Sequence, residues 1–279
     1  MSEQANYGTN DSIGVRLINH ADDAVLPVGE HDFSEAINRC LLVDKTMFIA
    51  DMLDCEASVA LCCRPKGFGK SMNLSMLTCY LERPISRRPD RNVFADTQIW
   101  EAGGGRYRDE HARYPVISLD LSAVARRGTD AAATMRGVLE CECARLLPLL
   151  DAPDLPRSEL RHVERVARGV ADDAEIDSVL GALIALLETS CDEQVVLLVD
   201  EYDSALPGHK ESKSHWDASC AEHLDRVLFD TIAHAGGSLR LTCLMGERPG
   251  PAELALSQRG VSYRSVTPLS AWCERRFGF

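Results

Sequence analysis

The sequence lacks the features of a secreted, membrane-spanning or disulfide-stabilised protein. It contains no long run of apolar residues, and its first residues lack the basic-then-apolar order of a signal peptide. Its 11 cysteines include no Cys-x-x-Cys pair and no Cys/His cluster at zinc-binding spacing. We therefore expect a cytoplasmic protein whose cysteines are reduced and act as small apolar residues, with neither disulfides nor a structural metal.

Basic residues are also in short supply. The chain has 30 Lys and Arg against 43 Asp and Glu, which gives a net charge of −13. An acidic surface repels phosphate backbones, so the sequence does not support a nucleic-acid partner. We interpret the local arginine clusters as solvated surface groups, although any of them could supply an arginine finger. These clusters are Arg87-Arg88 with Arg91, Arg126-Arg127 and Arg275-Arg276.

The chain is long enough for one large domain with a substantial core. Of its 279 residues, 45% are apolar, and apolar runs of strand length alternate with helical patterns. This alternation predicts βαβ units, whose right-handed crossovers bury a parallel sheet between helices. Residues 1–25 are polar and unpatterned, so we expect a flexible tail there and a domain over residues 26–279. The five predicted strands are Ser58–Cys63, Pro115–Leu121, Val195–Asp200, Leu239–Met245 and Val261–Val266.

Helical patterns fill the intervals between these strands. The segment of about residues 125–192 is too long for a simple connection, and we expect an α-helical insertion there. It contains two predicted helices, separated by a proline-containing break at residues 151–156, and their leucine stripes are expected to be core. A short helix is expected to start at Phe33, and Asp44 is expected to be the N-cap of a helix that reaches Leu53.

A glycine-containing loop after the first predicted strand has the composition of a phosphate-binding site. The loop reads Arg-Pro-Lys-Gly-Phe-Gly-Lys-Ser over residues 64–71, and an amphipathic helix pattern follows it. In such loops backbone N–H groups and the positive end of the helix surround phosphate oxygens, here with Lys70 reaching the β- and γ-phosphates and Ser71 binding Mg²⁺. Arg64 stands where the general pattern has glycine, so the motif alone is an incomplete match.

A second group of candidate residues ends the predicted strand Val195–Asp200. The strand is apolar up to its last residue, which is typical of a strand buried on both faces, and ligands of parallel sheets bind at the carboxyl ends. Asp200 is placed to hold Mg²⁺ directly or through water, as a Walker B aspartate does, and Glu201 to act as general base on the attacking water. The alternative is a core strand followed by two solvated acids. The phosphate loop in the same chain favours the functional interpretation.

With these residues in place, the chain resembles the AAA-ATPase-like P-loop proteins, which are often fused to a C-terminal PD-(D/E)XK-type nuclease domain. The loop of this chain is similar to the family's loop, which looks like Arg-Pro-(basic)-(any)-Phe-Gly-Lys-Ser. An arginine at the position of Arg64 is therefore expected in this family. The Val-Asp-Lys-Thr and Asp-Glu-Tyr-Asp elements make the resemblance specific, and it covers roughly residues 25–125 and 195–250. The matching segments, in chain order, are 26–29 with Phe33, 42–46, 64–71 with 73–77, 114–120 and 199–203.

The resemblance implies an α/β fold of the P-loop NTPase class (ASCE, AAA-like), with a three-layer parallel sheet of strand order 5-1-4-3-2. It implies ATP and Mg²⁺ as cofactors, with Lys70 and Glu201 as catalytic residues and Ser71 and Asp200 as metal ligands. For Asp44-Lys45-Thr46 two roles stay open, a plain N-cap and a cap that positions an N-terminal helix near the adenine. The implied nucleotide-binding residues are Arg64, Lys66, Gly67, Phe68, Gly69, Lys70, Ser71 and Met72.

Three departures from the family pattern bear on activity. Where the family ends its fourth strand with Thr-Gly, this chain has Met245-Gly246, and a Met cannot hydrogen-bond the γ-phosphate or the attacking water. Thr242 is a possible substitute, and Arg248 is a candidate phosphate sensor. The Phe-Ser-Gly-Leu-Asn-Asn element is reduced to residues 256–260, and the sequence stops at Phe279 without a nuclease carboxylate cluster, so no nuclease activity is expected of this polypeptide.

The sequence leaves several functions open. The favoured one is a Mg²⁺-dependent ATPase. The alternatives are a switch or interaction module that binds ATP for a protein partner without hydrolysing it, and a truncated remnant of a longer ATPase-nuclease protein. A small-molecule kinase is the weakest candidate because no acceptor-binding motif is visible. Neither a membrane partner nor an oligomeric state is indicated.

Overall fold

The computed structural model describes residues 16–20, 23–86, 92–124, 130–205 and 222–266. Two short antiparallel strands, β1 (Leu17–Ile18) and β2 (Leu42–Val43), form a small sheet. The main sheet has five strands, all parallel: β3 (Val59–Cys63), β4 (Val116–Asp120), β5 (Val195–Asp200), β6 (Leu239–Gly246) and β7 (Tyr263–Val266). The predicted strands are confirmed to within two residues at either end.

The strand order places two pairs of carboxyl ends side by side. The order is β4-β5-β6-β3-β7, which is 5-1-4-3-2 when only these five strands are counted and the sheet is followed from the β7 edge. Cys63 at the end of β3 lies opposite Gly246 at the end of β6. Asp120 at the end of β4 lies opposite Asp200 at the end of β5. The loops that follow these four strands therefore lie close together at the carboxyl ends of the sheet.

Helices surround this sheet, and short 3₁₀ turns connect several of them. A π-helical segment, Asp225–Asp230, leads into the eighth helix. The helices are α1 (Phe33–Arg39), α2 (Met47–Leu53), α3 (Lys70–Leu81), α4 (Gln98–Glu101), α5 (Ala131–Leu146), α6 (Arg157–Ala167), α7 (Asp173–Cys191), α8 (Thr231–Ala235) and α9 (Gly250–Gln258). The 3₁₀ turns are Ala102–Gly105, Arg108–Glu110, Leu147–Leu149, Tyr202–Ala205 and Gly236–Ser238.

Each face of the main sheet carries its own apolar core, because side chains alternate along a strand. In β3, Leu61 faces a core built with α5, α6 and α7, whereas Cys62 faces a core built with α1, α2 and α3. All five residues of β3 and all six of β5 are buried. The sheet is thus a middle layer between two layers of helices.

The segment between β4 and β5 differs from the expectation of two helices, since α6 lies between the two predicted ones. Only Val163 and Val166 are fully buried in α6, and most of its other residues are charged, so the helix has few apolar residues although these lie on one face. The next helix, α7, starts with a capping box in which Asp172 and Glu175 satisfy each other's backbone N–H groups. The predicted leucine stripes of this segment do lie in the core.

The start of the described chain also differs in part from the sequence analysis. Leu17–Ile18, within the expected tail, pairs with β2, and Ile18 is buried. Asp44 does not occupy the cap position of α2, which Thr46 holds. The Asp44 carboxylate instead accepts hydrogen bonds from Thr46 N at 2.9 Å and from Gln98 N at 2.8 Å, so it joins the start of α2 to α4.

Among the described residues, no helix combines the length and the apolar character that crossing a bilayer requires. The arginine clusters named above (Arg87, Arg88, Arg91, Arg126, Arg127, Arg275 and Arg276) lie outside the described residues, as does the C-terminal Phe279.

Candidate functional site

The loop between β3 and α3 depends on two glycines for its backbone conformation. Gly67 has φ of +83° and Gly69 has φ of +73°, a left-handed region that favours glycine. Gly69 is the N-cap of α3. Apart from the glycine itself and its chain neighbours, no heavy atom lies within 4 Å of the position that a Cβ would take at either residue. The glycines therefore serve the backbone turn, and the space beside them is open to a ligand.

Lys70 is a buried cation at the first position of α3. Its Nζ donates to the carbonyl oxygens of Arg64 at 3.0 Å and of Pro65 at 3.4 Å. The same ammonium lies 3.1 Å from Glu201 Oε1, and both side chains are largely buried. An ammonium has three N–H donors. In this conformation all three have partners within the protein.

Ser71 and Asp200 are 129 residues apart in sequence and meet at the centre of the site. Ser71 Oγ donates a hydrogen bond to Asp200 Oδ2 at 2.5 Å. The contact joins the first turn of the loop helix to the carboxyl end of β5. Burial raises the pKa of Asp200, and the nearby Asp120 charge adds to this, while the hydrogen bond from Ser71 opposes it.

Glu201 leaves the strand in an unusual conformation. Its φ is +50°, which is uncommon for a residue other than glycine, and its N–H donates to Asp200 Oδ1 at 2.9 Å. The 3₁₀ turn Tyr202–Ala205 follows directly. Burial raises the pKa of Glu201, and the attraction of Lys70 opposes that shift. The backbone thus turns the Glu201 carboxylate back toward the loop.

A cavity of about 540 Å³ opens beside these residues, between α3 and the ends of β4 and β5. Asp120 belongs to it, in register with Asp200, and is not among the site residues predicted from the sequence. The rule that located Asp200, a carboxylate at the end of a buried strand, would have found it. The lining residues are His31, Lys66, Ser71, Leu74, Ser75, Thr78, Ser118, Leu119, Asp120, Ser122, Asp200, Glu201 and Ser204.

The other predicted loop residues have different positions. Arg64 is buried, and its guanidinium lies 5.5 Å from the centre of the Phe68 ring, which is half-exposed at the loop tip. Lys66 is exposed and lines the cavity. The Met72 side chain packs against the apolar core of α1, α2 and α3. Since Met72 lies in the first turn of α3, its backbone N–H is among those that have no acceptor within the helix.

Arg248 follows β6 and is tied to the residues after Glu201. Its backbone N–H donates to Asp203 Oδ2 at 3.0 Å, and its Nε lies 3.5 Å from the same oxygen. The Tyr202 hydroxyl donates to the Arg248 carbonyl oxygen. Neither Tyr202 nor Asp203 was assigned a role from sequence. The signal that could have found them is their place in the Asp-Glu-Tyr-Asp element.

Neither Met245 nor Thr242 of β6 offers a polar side chain to the site. Met245 is buried in the core of α1, α2 and α3. Thr242 lies opposite Val59, at the end of β3 remote from the phosphate loop. Its buried Oγ1 has no hydrogen-bond partner among the described residues. Thr242 therefore does not take the place of a polar sensor at the end of β6.

The donor set at the centre of the site suits a magnesium ion that is shared with a phosphate ligand. Ser71 Oγ and Asp200 Oδ2 are hard oxygen donors in contact with each other. Within the described part of the chain, no group of three or more His, Cys, Asp or Glu could form a cation cage made of protein alone. Mg²⁺ commonly uses one or two protein ligands and completes its shell with water and substrate phosphates. The residues present fit such an ion.

Comparison with known families agrees with this geometry. A family model described as "Predicted AAA-ATPase" matches residues 27–249, which include the loop, β5 and Arg248. The chain therefore belongs to this AAA-ATPase-like family, and the resemblance drawn from its motifs is confirmed. Neither a curated protein nor a solved structure matches the chain.

Proposed function

We propose that this protein binds ATP with Mg²⁺ and hydrolyses it. The observation that carries the proposal is the hydrogen bond of 2.5 Å between Ser71 and Asp200. It brings the first turn of a glycine-loop helix against a carboxylate at the end of β5, although β6 separates β5 from the strand β3 that leads into the loop. Membership in an AAA-ATPase-like family supports nucleotide as the ligand.

Each residue of the site has a role in this proposal. The backbone turns at Gly67 and Gly69 let phosphate oxygens approach the loop N–H groups. Lys70 stabilises charge on the β- and γ-phosphates, and Ser71 and Asp200 hold the metal. Mg²⁺, when bound, neutralises phosphate charge during the reaction.

Glu201 is assigned to the attacking water. Its carboxylate accepts the proton that the water loses, and burial favours a pKa closer to neutrality than that of an exposed glutamate. In the free protein the Glu201 carboxylate is paired with the Lys70 ammonium. A phosphate that attracts this ammonium breaks the ion pair. Binding of the substrate and release of the base are therefore linked.

The test is calorimetric titration of ATP with Mg²⁺, with phosphate release followed in the same samples. We expect Lys70→Ala to abolish binding, because the charge that faces the phosphates is lost. Glu201→Gln should bind nucleotide and release no phosphate. Phosphate release at the parent rate from Glu201→Gln would show that the assignment of the base is wrong, and a folded parent protein that binds no ATP would refute the whole proposal.

A second candidate is a switch that binds ATP and turns it over negligibly. The observation that favours it is the buried Met245, which leaves the end of β6 without a polar side chain for the γ-phosphate. In that case nucleotide would stabilise one conformation for a protein partner. Single-turnover measurements separate the two functions, because the switch predicts bound ATP that remains intact in the parent protein and in Glu201→Gln alike.

A further inference from the structure

Asp120 is a carboxylate at the carboxyl ends of the main sheet, and it has no part in the function proposed above. It ends β4 and lies in register with Asp200 at the end of β5. Strand β4 adjoins β5 on the side away from β6 and β3, and β3 is the strand that leads into the phosphate loop. Asp120 therefore flanks Asp200 on the side remote from the loop.

The side chains of Asp120 and Asp200 project from the same face of the sheet, the face that α3 covers. Side chains alternate along a strand, and residues in register on neighbouring strands share a face. The residues one position earlier, Leu119 and Val199, belong to the core of α5, α6 and α7 on the opposite face. Ser71 on α3 contacts Asp200, and one cavity is lined by Ser71, Asp120 and Asp200 together. Asp120 thus opens into the same space as the proposed metal ligands.

The orientation of the Asp120 carboxylate is fixed by a local turn. Its Oδ1 accepts a hydrogen bond from Ser122 N at 2.8 Å, in a turn where the side chain binds the backbone two residues on. The residue remains exposed and lines the cavity. An ionised carboxylate has about four lone-pair sites. The turn therefore leaves acceptor capacity for a ligand in the cavity.

The charges of the two aspartates interact in the free protein. Burial raises the pKa of Asp200, and the negative charge of Asp120 raises it further. Two carboxylates that repel each other favour a cation nearby, because the cation removes the repulsion. In the proposed function Asp200 holds Mg²⁺ together with Ser71. The ion that relieves the repulsion is therefore the one already assigned to this site.

We propose that Asp120 is a positioning residue that holds water ligands of Mg²⁺ on the side of the ion away from the phosphate loop. This inference rests on the proposed function and adds a residue to the same site. Mg²⁺ loses its water reluctantly, so it keeps several water ligands beside those from protein and phosphate. A carboxylate that accepts hydrogen bonds from these waters orients them and strengthens the binding of the ion.

The test uses Mn²⁺ in place of Mg²⁺, because Mn²⁺ takes the same oxygen ligands and its free form is measured by electron paramagnetic resonance. The full chain is titrated with Mn²⁺ in the presence of a non-hydrolysable ATP analogue. We expect Asp120→Asn to raise the dissociation constant of Mn²⁺ about tenfold, as for the loss of other groups that hold metal ligands. The amide oxygen can still accept from Ser122 N, so the substitution removes the charge and keeps the turn. Binding of the analogue without metal should be unchanged.

Asp130→Asn is the matched control. Asp130 Oδ1 accepts from Ala132 N and Ala133 N at the start of α5, and the residue is not among those that line the cavity. This control changes the net charge by the same amount and should bind Mn²⁺ like the parent. Asp120→Glu returns the charge on a longer side chain and should recover part of the lost affinity.

A spin-echo measurement in heavy water counts the waters on the bound Mn²⁺. The parent and Asp120→Asn should have the same number, because Asp120 acts through water. An additional water in the variant would make Asp120 a direct ligand and overturn the water-mediated role.

Three further results would decide against the inference. A folded parent protein that binds neither the analogue nor Mn²⁺ removes the proposed function and this inference together. A parent that binds both, with the same Mn²⁺ dissociation constant in Asp120→Asn, overturns this inference alone. An equal loss of analogue binding with and without metal would show that Asp120 supports the local structure instead. If Asp120→Asn fails to fold, Asp120→Ser, whose hydroxyl can accept from Ser122 N, takes its place in the same comparison.

Discussion

The Lys70 ammonium lies 3.1 Å from Glu201 Oε1, with both groups largely buried between the loop and the end of β5. The proposed base therefore neutralises the proposed phosphate-binding cation in the free protein. A carboxylate oxygen and a phosphate oxygen are alike in charge and in hydrogen-bonding capacity. Under the proposed function, nucleotide therefore competes with Glu201 for Lys70.

This competition predicts that Glu201→Gln binds ATP several-fold more tightly than the parent protein. A neutral amide attracts the ammonium less strongly than a carboxylate does, and it does not repel the γ-phosphate. Calorimetry at fixed Mg²⁺ measures the effect. Glu193→Gln, which breaks a surface ion pair with Arg113, is the control and should bind like the parent. Equal or weaker binding by Glu201→Gln would contradict the competition.

The hydrogen bond between Ser71 and Asp200 predicts a specific change in metal requirement. Ser71→Ala should raise the Mg²⁺ concentration needed for half-maximal ATP binding by about tenfold, because one oxygen donor is lost. Ser71→Thr keeps the hydroxyl and should stay close to the parent. A magnesium titration of nucleotide binding checks both variants. An unchanged midpoint in Ser71→Ala would remove this residue from the metal site.

The close packing at Gly246 predicts a loss of stability on adding a methyl group. Gly246→Ala should lower the free energy of unfolding by about 1–3 kcal/mol, since Asp203 and Tyr202 have to move. Urea denaturation of the free protein measures it. Gly237→Ala is the matched control, because no heavy atom stands within 4 Å of its Cβ position. Equal effects of the two substitutions would show that the packing at Gly246 is not restrictive.

The buried hydroxyl of Thr242 predicts a stabilising substitution. Thr242→Val replaces a hydroxyl that has no partner among the described residues with a methyl group of similar size. We expect the free energy of unfolding to rise by about 1 kcal/mol, because no buried polar atom is left unsatisfied. Thr189→Val removes a hydroxyl that donates to Ala185 O, and it should not stabilise the protein. A less stable Thr242→Val would mean that the hydroxyl has a partner after all.

The pKa of Glu82, at the C-terminal end of α3, predicts a pH dependence of stability. Burial raises this pKa, although the attraction of Arg145 opposes the shift. Because the pKa in the folded state lies above the unfolded value of about 4.3, the stability contribution is complete below about pH 4.3. It is lost as the pH rises through the folded pKa. The free energy of unfolding of the parent should therefore fall more steeply above about pH 4.3 than that of Glu82→Gln.

Urea denaturation at a series of pH values measures this difference in slope. The exposed Glu159→Gln, on α6, is the control and should retain the slope of the parent. Parallel curves for the parent and Glu82→Gln would show that Glu82 has the same pKa in the folded and unfolded states.

Local patterns of the sequence were sufficient to locate the five strands of the main sheet and the residues at the centre of the candidate site, whereas the strand order was implied by the family resemblance. Continuous apolar runs located β3 and β5, and the residues at their carboxyl ends led to Lys70, Ser71 and Asp200. Such runs are informative because strands buried on both faces tolerate few polar residues. Helix α6 is not predicted because most of its residues are charged or polar, although its few apolar residues lie on one face.

The contacts of Asp203, Asp120 and Asp44 depend on residues that are distant in sequence. Asp203 binds backbone groups 44 and 45 positions away, and Asp44 binds Gln98 N at a separation of 54. A propensity or a spacing describes only a local segment, so it cannot identify these partners. The register of two strands is needed to place Asp120 beside Asp200.

One turn beyond Ser71 on α3, Ser75 Oγ accepts a hydrogen bond from Phe33 N at 2.9 Å, at the first residue of α1. This hydrogen bond attaches helix α1 to α3, the helix that follows the phosphate loop. Its other end leads through Cys40 into β2, which pairs with β1. If α3 tilts about its first turn, α1 has to move with it. A displacement at the phosphate loop would therefore be transmitted through α1 to the sheet of β1 and β2.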